Sequence, residues 1–213
     1  MSAAPKKSSG GGMKILLILL GIAGVGALVC CGGVGVFVYK SMPTVTQVPS
    51  EVTANSKKIL DTEIDEETWE PSMSLEMSIP WTMDMRMANF SSKKDEGGLV
   101  LTRMTLKVQD QNQSQEEIDR QLEQSLSQSG GGAQGQPMPA LAVEKSEEIK
   151  LTMLGQEATL MLSTGKRVGD DETEWKELKG HVRDGEDIIV IKLQLQSENF
   201  DLEAIKAMLE AAK

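Results

Sequence analysis

The residues that could do chemistry are few. His181 is the single histidine, so it is the one imidazole available as a general base. Asp184 follows it three residues later in KGHVRDGED, a pairing that would suit a carboxylate-oriented base. No G-x-S-x-G elbow accompanies it, and the plain reading is a histidine near a strand end. Carboxylates crowd two places, Glu63-Ile64-Asp65-Glu66-Glu67 and Asp170-Asp171-Glu172 with Glu174. A pair of close carboxyl groups with separated pKa values could hydrolyse a glycoside. A calcium loop would need ligands at fixed offsets and a turn glycine, which the first cluster lacks. Solvated acidic surface is the expectation for both. Met73, Met77, Met83, Met85 and Met87 are the remaining set. Thioether clusters take Cu(I), and flexible methionine surfaces suit adaptable partners. Their alternation with polar residues points instead to side chains filling the core beneath the helices.

The exclusions are broader. There is no phosphate-cradling lysine loop and no dinucleotide fingerprint; Gly10–Gly12 and Gly130–Gly132 read as linkers. The only cysteines, Cys30 and Cys31, lie in an apolar run, so the remainder has no thiol nucleophile, disulfide or zinc set. The chain has 22 basic and 32 acidic residues, a net charge of −10, which argues against nucleic acid as a partner. No cofactor is expected. Asn89-Phe90-Ser91 and Asn112-Gln113-Ser114 match the glycosylation sequon, a match that arises readily by chance.

Charge placement gives the topology. Residues 1–40 carry four lysines and no acid, leaving 18 basic and 32 acidic residues downstream. Between Lys14 and Lys40 stand 25 uncharged residues, long enough to span a bilayer as a helix. Three lysines precede the run, so the expected orientation keeps residues 1–14, a disordered tail, in the cytoplasm. Residues 15–39 then cross the cytoplasmic membrane once, and the rest is exported. Tyr39 suits the interfacial aromatic belt. The run exceeds the roughly 7–15 residues of a signal-peptide core, so an uncleaved signal anchor is preferred to a cleaved signal, which a start at Met13 rather than Met1 would make it resemble. Ala23, Ala27, Cys31 and Gly35 recur every fourth residue, a face through which a second copy could pack as a homodimer.

The exported part begins with residues 40–70, where Pro43 and Pro49 interrupt periodicity. This stretch is expected to be a spacer, with a short helix near Lys58–Ile64. Period-two alternation then marks strands: Met73 to Ile79, Met83 to Met87, and Val100 to Val108, the last preceded by the turn SSKKDEGG. Ser114 and Glu117 form a capping box for a helix with Ile118, Leu122 and Leu126 on one face. Residues 129–140 read as a flexible Gly/Gln/Pro loop. Alternation resumes through a hairpin turning at Gly155-Gln156, a strand from Trp175, a turn at Asp184-Gly185, and the apolar strand Asp187–Gln196. Asp201 caps a last helix with Leu202, Ile205, Met208 and Leu209 on its face. The expected fold is α+β: an antiparallel sheet of six to seven strands flanked by two helices, over residues 71–213.

With IPW at Ile79–Trp81, the capped helix SQEEIDRQL, LGQEATL at Leu154–Leu160 and the terminus FDLEAIKAMLEAAK, this order resembles the PsbP-like domains, related in fold to the Ran-binding Mog proteins. That resemblance implies an antiparallel sheet flanked by helices and a role as an assembly or binding accessory; it assigns no site residue. The Gly/Ser tail followed by a glycine-rich apolar run with paired cysteines resembles single-pass proteins of bacteria such as planctomycetes. Together these readings give a non-enzymatic, membrane-anchored extracytoplasmic protein that binds or scaffolds another envelope protein. The alternatives are an anchored hydrolase using acidic residues and a metal-handling domain using the methionines.

Overall fold

The computed structural model describes residues 42–107, 120, 138–170 and 172–212. The chain divides into two units, Met1–Met42 and Pro43–Lys213. The expected tail, the span 15–39 with Ala23, Ala27, Cys31 and Gly35, the helix opened by Ser114, Asn112, and most of the 129–140 loop lie outside the described residues. Among the described residues no helix is long and apolar enough to cross a membrane.

The second unit contains one eight-stranded sheet. Its strands are β1 (Thr44–Thr46), β2 (Trp69–Ile79), β3 (Met83–Ser92), β4 (Gly98–Leu106), β5 (Leu141–Met153), β6 (Gln156–Arg167), β7 (Glu174–Asp184) and β8 (Asp187–Gln196). Their order across the sheet is β1-β2-β3-β4-β8-β7-β6-β5, and every neighbouring pair is antiparallel. Two four-stranded antiparallel groups therefore meet at the β4–β8 seam; within them all neighbours follow each other in the chain through turns or loops except β1 and β2, whose connection carries a helix. The α+β expectation holds, with eight strands rather than six or seven.

The additional strand and a helix come from the stretch expected to be a spacer. Helix α1 (Pro49–Ile59) ends where a short helix was expected to begin. Pro49 does not break it. It stands in the helix's first turn, where the missing N–H had no partner to lose and the fixed φ suits the helix. Glu51 sits in the first turn and Lys57 and Lys58 in the last, matching the helix dipole. Val52, Ser56 and Ile59 are buried. Residues 43–70 are thus part of the folded unit, not a linker.

The helix α1 packs over β2 and β3 at Ser74 and Ala88, both fully buried; small side chains let the helix approach. Asn55 Nδ2 donates to Ser74 Oγ at 2.9 Å. The apolar core on this face continues through Phe90, Leu99, Leu101, Ile189, Ile191 and Leu193 to Leu178 and Leu160. The C-terminal helix α2 (Leu202–Glu210) closes it with Ile205 and Leu209, and its N-cap Asp201 accepts from the Glu203 and Ala204 amides as expected. Thr62 Oγ1 donates to the Met208 carbonyl at 2.8 Å, tying the chain after α1 to α2. Arg103 fastens the edge of the core: Nε reaches Asp187 at 2.6 Å, Nη2 reaches Asp184, and Nη1 reaches the Ile59 carbonyl at 3.4 Å. Burial opposes its charge, but the hydrogen bonds to Asp187 and Asp184 prevail and hold its pKa above the ordinary value.

The five methionines of β2 and β3 share one face of the sheet. Alternation puts Ser74 and Ala88 on the α1 side and sends Met73, Met77, Met83, Met85 and Met87 to the other face. The stripe therefore lies on the face away from α1, where Met73 and Met87 are buried; the helix opened by Ser114, one of the two it was expected to face, lies outside the described residues. Period two separates two faces; it does not say which one a helix covers.

Candidate functional site

The second face has two halves, and the strand registers give its rows. Met77, Met85 and Met104 stand side by side across β2, β3 and β4, followed by Ile188 of β8. The next row runs Leu75, Met87, Thr102, Val190. Met87 and Ile188 are buried, and Met77, Met83, Met85 and Met104 are half-buried. This half is apolar and deformable, since methionine adapts its shape to what lies against it.

The other half is charged and ordered. Glu177, with 5% of its side chain exposed, lies 3.1 Å from Lys179 Nζ and 3.3 Å from Lys192 Nζ. The fully buried amide of Gln194 accepts from Arg167 Nε at 3.1 Å and donates to the Pro139 carbonyl at 3.3 Å. Arg167 also donates to the Glu96 carbonyl at 2.9 Å and stacks on Trp175, its guanidinium carbon 3.2 Å from the ring centre. Desolvation lowers the Arg167 pKa from its ordinary value, against the opposing pull of Glu96, Asp95 and Asp170. An arginine nevertheless stays charged in proteins. Buried charges survive where they are partnered, and here Gln194 and the Glu96 carbonyl accept hydrogen bonds while the Trp175 ring stacks on the guanidinium.

Between β3, β4 and the start of β5 lies a cavity of about 490 Å³. Asn89, Val100 and Gly98 face it from the strands, Met138 and Pro139 wall one side, and Arg167 stands at its far edge. Two glycines make room. A Cβ on Gly98 would lie 3.0 Å from the Phe90 carbonyl and 3.1 Å from Met138 Cε, and one on Gly97 would lie 2.2 Å from the Gln194 carbonyl oxygen. Asp95 braces the rim: it accepts from the Gly97 amide at 2.8 Å, the Gln196 amide at 3.0 Å and Asn199 Nδ2 at 3.0 Å. Asn89 Oδ1 is buried with no hydrogen-bond partner, an acceptor that a donor entering from this side could satisfy. Asn89 also lies inside β3, so its sequon is strand interior rather than loop.

The residues singled out for catalysis are not brought together. His181 and Asp184 sit three apart on β7, and alternation sends them to opposite faces; Asp184 is bound by Arg103 instead. Asp170 caps its own loop, accepting from the Thr173 amide at 3.1 Å and the Glu172 amide at 3.2 Å. The Thr173 side chain chiefly, with those amides, holds the Asp170 carboxyl below the usual range. Asp65 does the same for the 65–68 turn, lowered first by the Thr68 hydroxyl at 2.6 Å and then by the Glu67 amide at 2.9 Å. These acids are turn-forming groups. Among the described residues no three His, Cys, Asp or Glu side chains converge to hold a metal ion.

Compared with protein-family models and with curated proteins, the chain gives no match.

Proposed function

We propose that the chain is a membrane-anchored, extracytoplasmic binding protein whose second sheet face, around the Arg167–Asn89 cavity, receives a segment of an envelope protein partner. The cavity carries this reading. It combines a fixed cation, an acceptor with no partner among the described residues, two glycines and adjoining apolar side chains, the elements of a binding site. The anchor is supported by the uncharged run 15–39 and the lysines before it. Membership of the PsbP-like domains stays part of this proposal; its support is the antiparallel sheet flanked by helices and the Asp201-capped C-terminal helix.

Two measurements test it. Protease treatment of intact spheroplasts should digest the C-terminal unit from outside while the uncut protein remains in the membrane fraction. A photo-crosslinking side chain at Ser72, on the cavity wall, should join one discrete envelope protein; the same group at Lys150, on the far edge strand, should not. Equal crosslinking from both positions, or a protected C-terminal unit, would overturn the reading.

A further inference from the structure

Met87 and Ile188 are buried in a place that the described helices do not reach. They are 3% and 1% exposed, yet neither belongs to the core beneath α1 and α2. Both stand on the methionine face, Met87 in the row with Leu75, Thr102 and Val190, Ile188 in the row with Met77, Met85 and Met104. Among the described residues no helix lies on that face. Neighbouring strands flank a side chain but do not roof it. An antiparallel face turned to water is lined by polar residues, and these rows are mostly apolar. A sheet that is apolar on both faces needs a layer on each.

The path of the chain supplies that layer. Strand β4 runs from Gly98 to Leu106, a rise of about 26 Å. Just past its end the Lys107 amide donates to the Thr82 carbonyl at 2.9 Å. The stretch that begins at Met138 lies back at the Gly98 end, and on the methionine face, where Gly98 alternates with Val100 and Met104. A Cβ on Gly98 would lie 3.1 Å from Met138 Cε, and the Pro139 carbonyl accepts from Gln194 Nε2 at 3.3 Å. Residues 108–137 therefore connect one end of β4 to the other. A helix over 114–128, opened by the Ser114 and Glu117 capping box, would be about 22 Å long and fits that distance. Arg120, the described residue of this stretch, is helical and exposed. It stands about half a turn from Ile118 and Leu122, which puts the apolar stripe on the side away from water.

Charge agrees with the geometry. Residues 108–137 carry Asp110, Glu116, Glu117, Asp119 and Glu123 against the one base Arg120. The face presents Arg183 beside Ile188, and two lysines, Lys179 and Lys192, that share the single carboxylate of Glu177. An acidic segment therefore meets a face with an excess of positive charge.

We propose that residues 114–128 are a helix docked on the methionine face, with Ile118 toward Met104, Leu122 against Met87 and Leu126 toward Val100. The sheet is then layered between α1 and α2 on one side and this helix on the other. Methionine suits the contact, because its unbranched side chain adapts to the surface laid on it. The chain's return through Met138 and Pro139 leaves the Arg167–Asn89 cavity at the end of this face, where a partner's segment can reach it. The inference does not depend on the membrane anchor.

Photo-methionine, a diazirine analogue incorporated in place of methionine, tests this without a substitution. The full-length protein carrying it is irradiated in detergent and resolved on a denaturing gel, and links in the monomer band are mapped by mass spectrometry. The expected result is that Met77, Met85 or Met104 is joined to residues 114–128 of the same chain. No such link should come from Met153 or Met208, which pack on the other side of the sheet. Leu122→Asp should lose most of these links, while Gln124→Asp, on the exposed side of the helix, should keep them. Links found only in a covalent dimer would give the face to a second copy and overturn the proposal. So would a methionine face that links to nothing in 114–128, or equal yields from Met208. The wild-type map decides the matter even if Leu122→Asp fails to fold.

Discussion

Replacing Trp81 by glycine should leave the stability of the domain almost unchanged, an unusual outcome for removing a tryptophan. Three contributions decide the magnitude. Holding an L-residue in the left-handed region costs about 1–2 kcal/mol, and glycine at φ 61° relieves it. Glycine gives back about 0.4–1 kcal/mol by loosening the unfolded chain. The fifth of Trp81 that is buried amounts to on the order of 50 Å², worth up to about 1 kcal/mol. The sum lies within about 1 kcal/mol of zero. Trp175→Ala, by contrast, removes a ring that is 2% exposed and stacked by Arg167, and should cost about 3–5 kcal/mol. The assay is urea denaturation of the detergent-solubilised full-length protein, followed by far-ultraviolet circular dichroism so that loss of the indole does not change the probe. A midpoint for Trp81→Gly lower by the equivalent of 2 kcal/mol or more would refute the reasoning, because it would show the indole holding the fold together rather than facing outward.

Three further outcomes follow from the geometry. Gly97→Ala puts a Cβ 2.2 Å from the Gln194 carbonyl, so the β4–β8 seam must shift; thermal unfolding should show a loss of about 1–3 kcal/mol, and an unchanged midpoint would mean the seam is loose. Glu177→Gln removes the negative charge between Lys179 and Lys192 and should cost about 2–4 kcal/mol in the same assay, while an Arg86→Gln control at an exposed ion pair should cost under about 1 kcal/mol. Asp65, Asp84 and Asp170 have lowered pKa values in the fold, set chiefly by the Thr68 hydroxyl, Lys107 and the Thr173 side chain respectively. Below their ordinary values the unfolded chain binds protons first, so the stability these groups contribute is complete above about pH 5 and lost as pH falls through their lowered values, below about pH 4. A melting temperature that rose on acidification through that window would contradict the assignment.

Period two was enough to find seven strands, because each faces different surroundings on its two sides and most are joined by short turns whose chemistry is local: Gly155 and Gly185 both take positive φ where the sequence marks turns. The capped C-terminal helix was legible for the same reason, since Asp201 acts on amides two and three residues away. Helix α1 was not. Its buried apolar positions, Val52 and Ile59, are only two among mostly polar neighbours, and its stability comes from docking on Ser74 and Ala88, residues that look like solvent-facing positions until a helix covers them. A reader of alternation assigns the apolar side of β2 and β3 to the core, yet the side with serine and alanine is the one that admits α1.

The cavity illustrates a different limit. Asn89, Gly98, Met138 and Arg167 come from three strands and a connection, and nothing local relates an asparagine in β3 to an arginine at the end of β6. What the sequence does carry is a set of small anomalies: adjacent glycines opening a strand at Gly97-Gly98, an arginine that is buried at a strand end, and a tryptophan at a glycine position beside a proline. Each conflicts with the local rule that its neighbours obey, and each finds its reason in tertiary structure or beyond it. Gly97 admits the Gln194 carbonyl, Arg167 is held between Gln194 and Trp175, and Trp81 alone has no reason inside the fold. A side chain whose local cost is met by nothing within the domain is the one whose partner should be sought outside it.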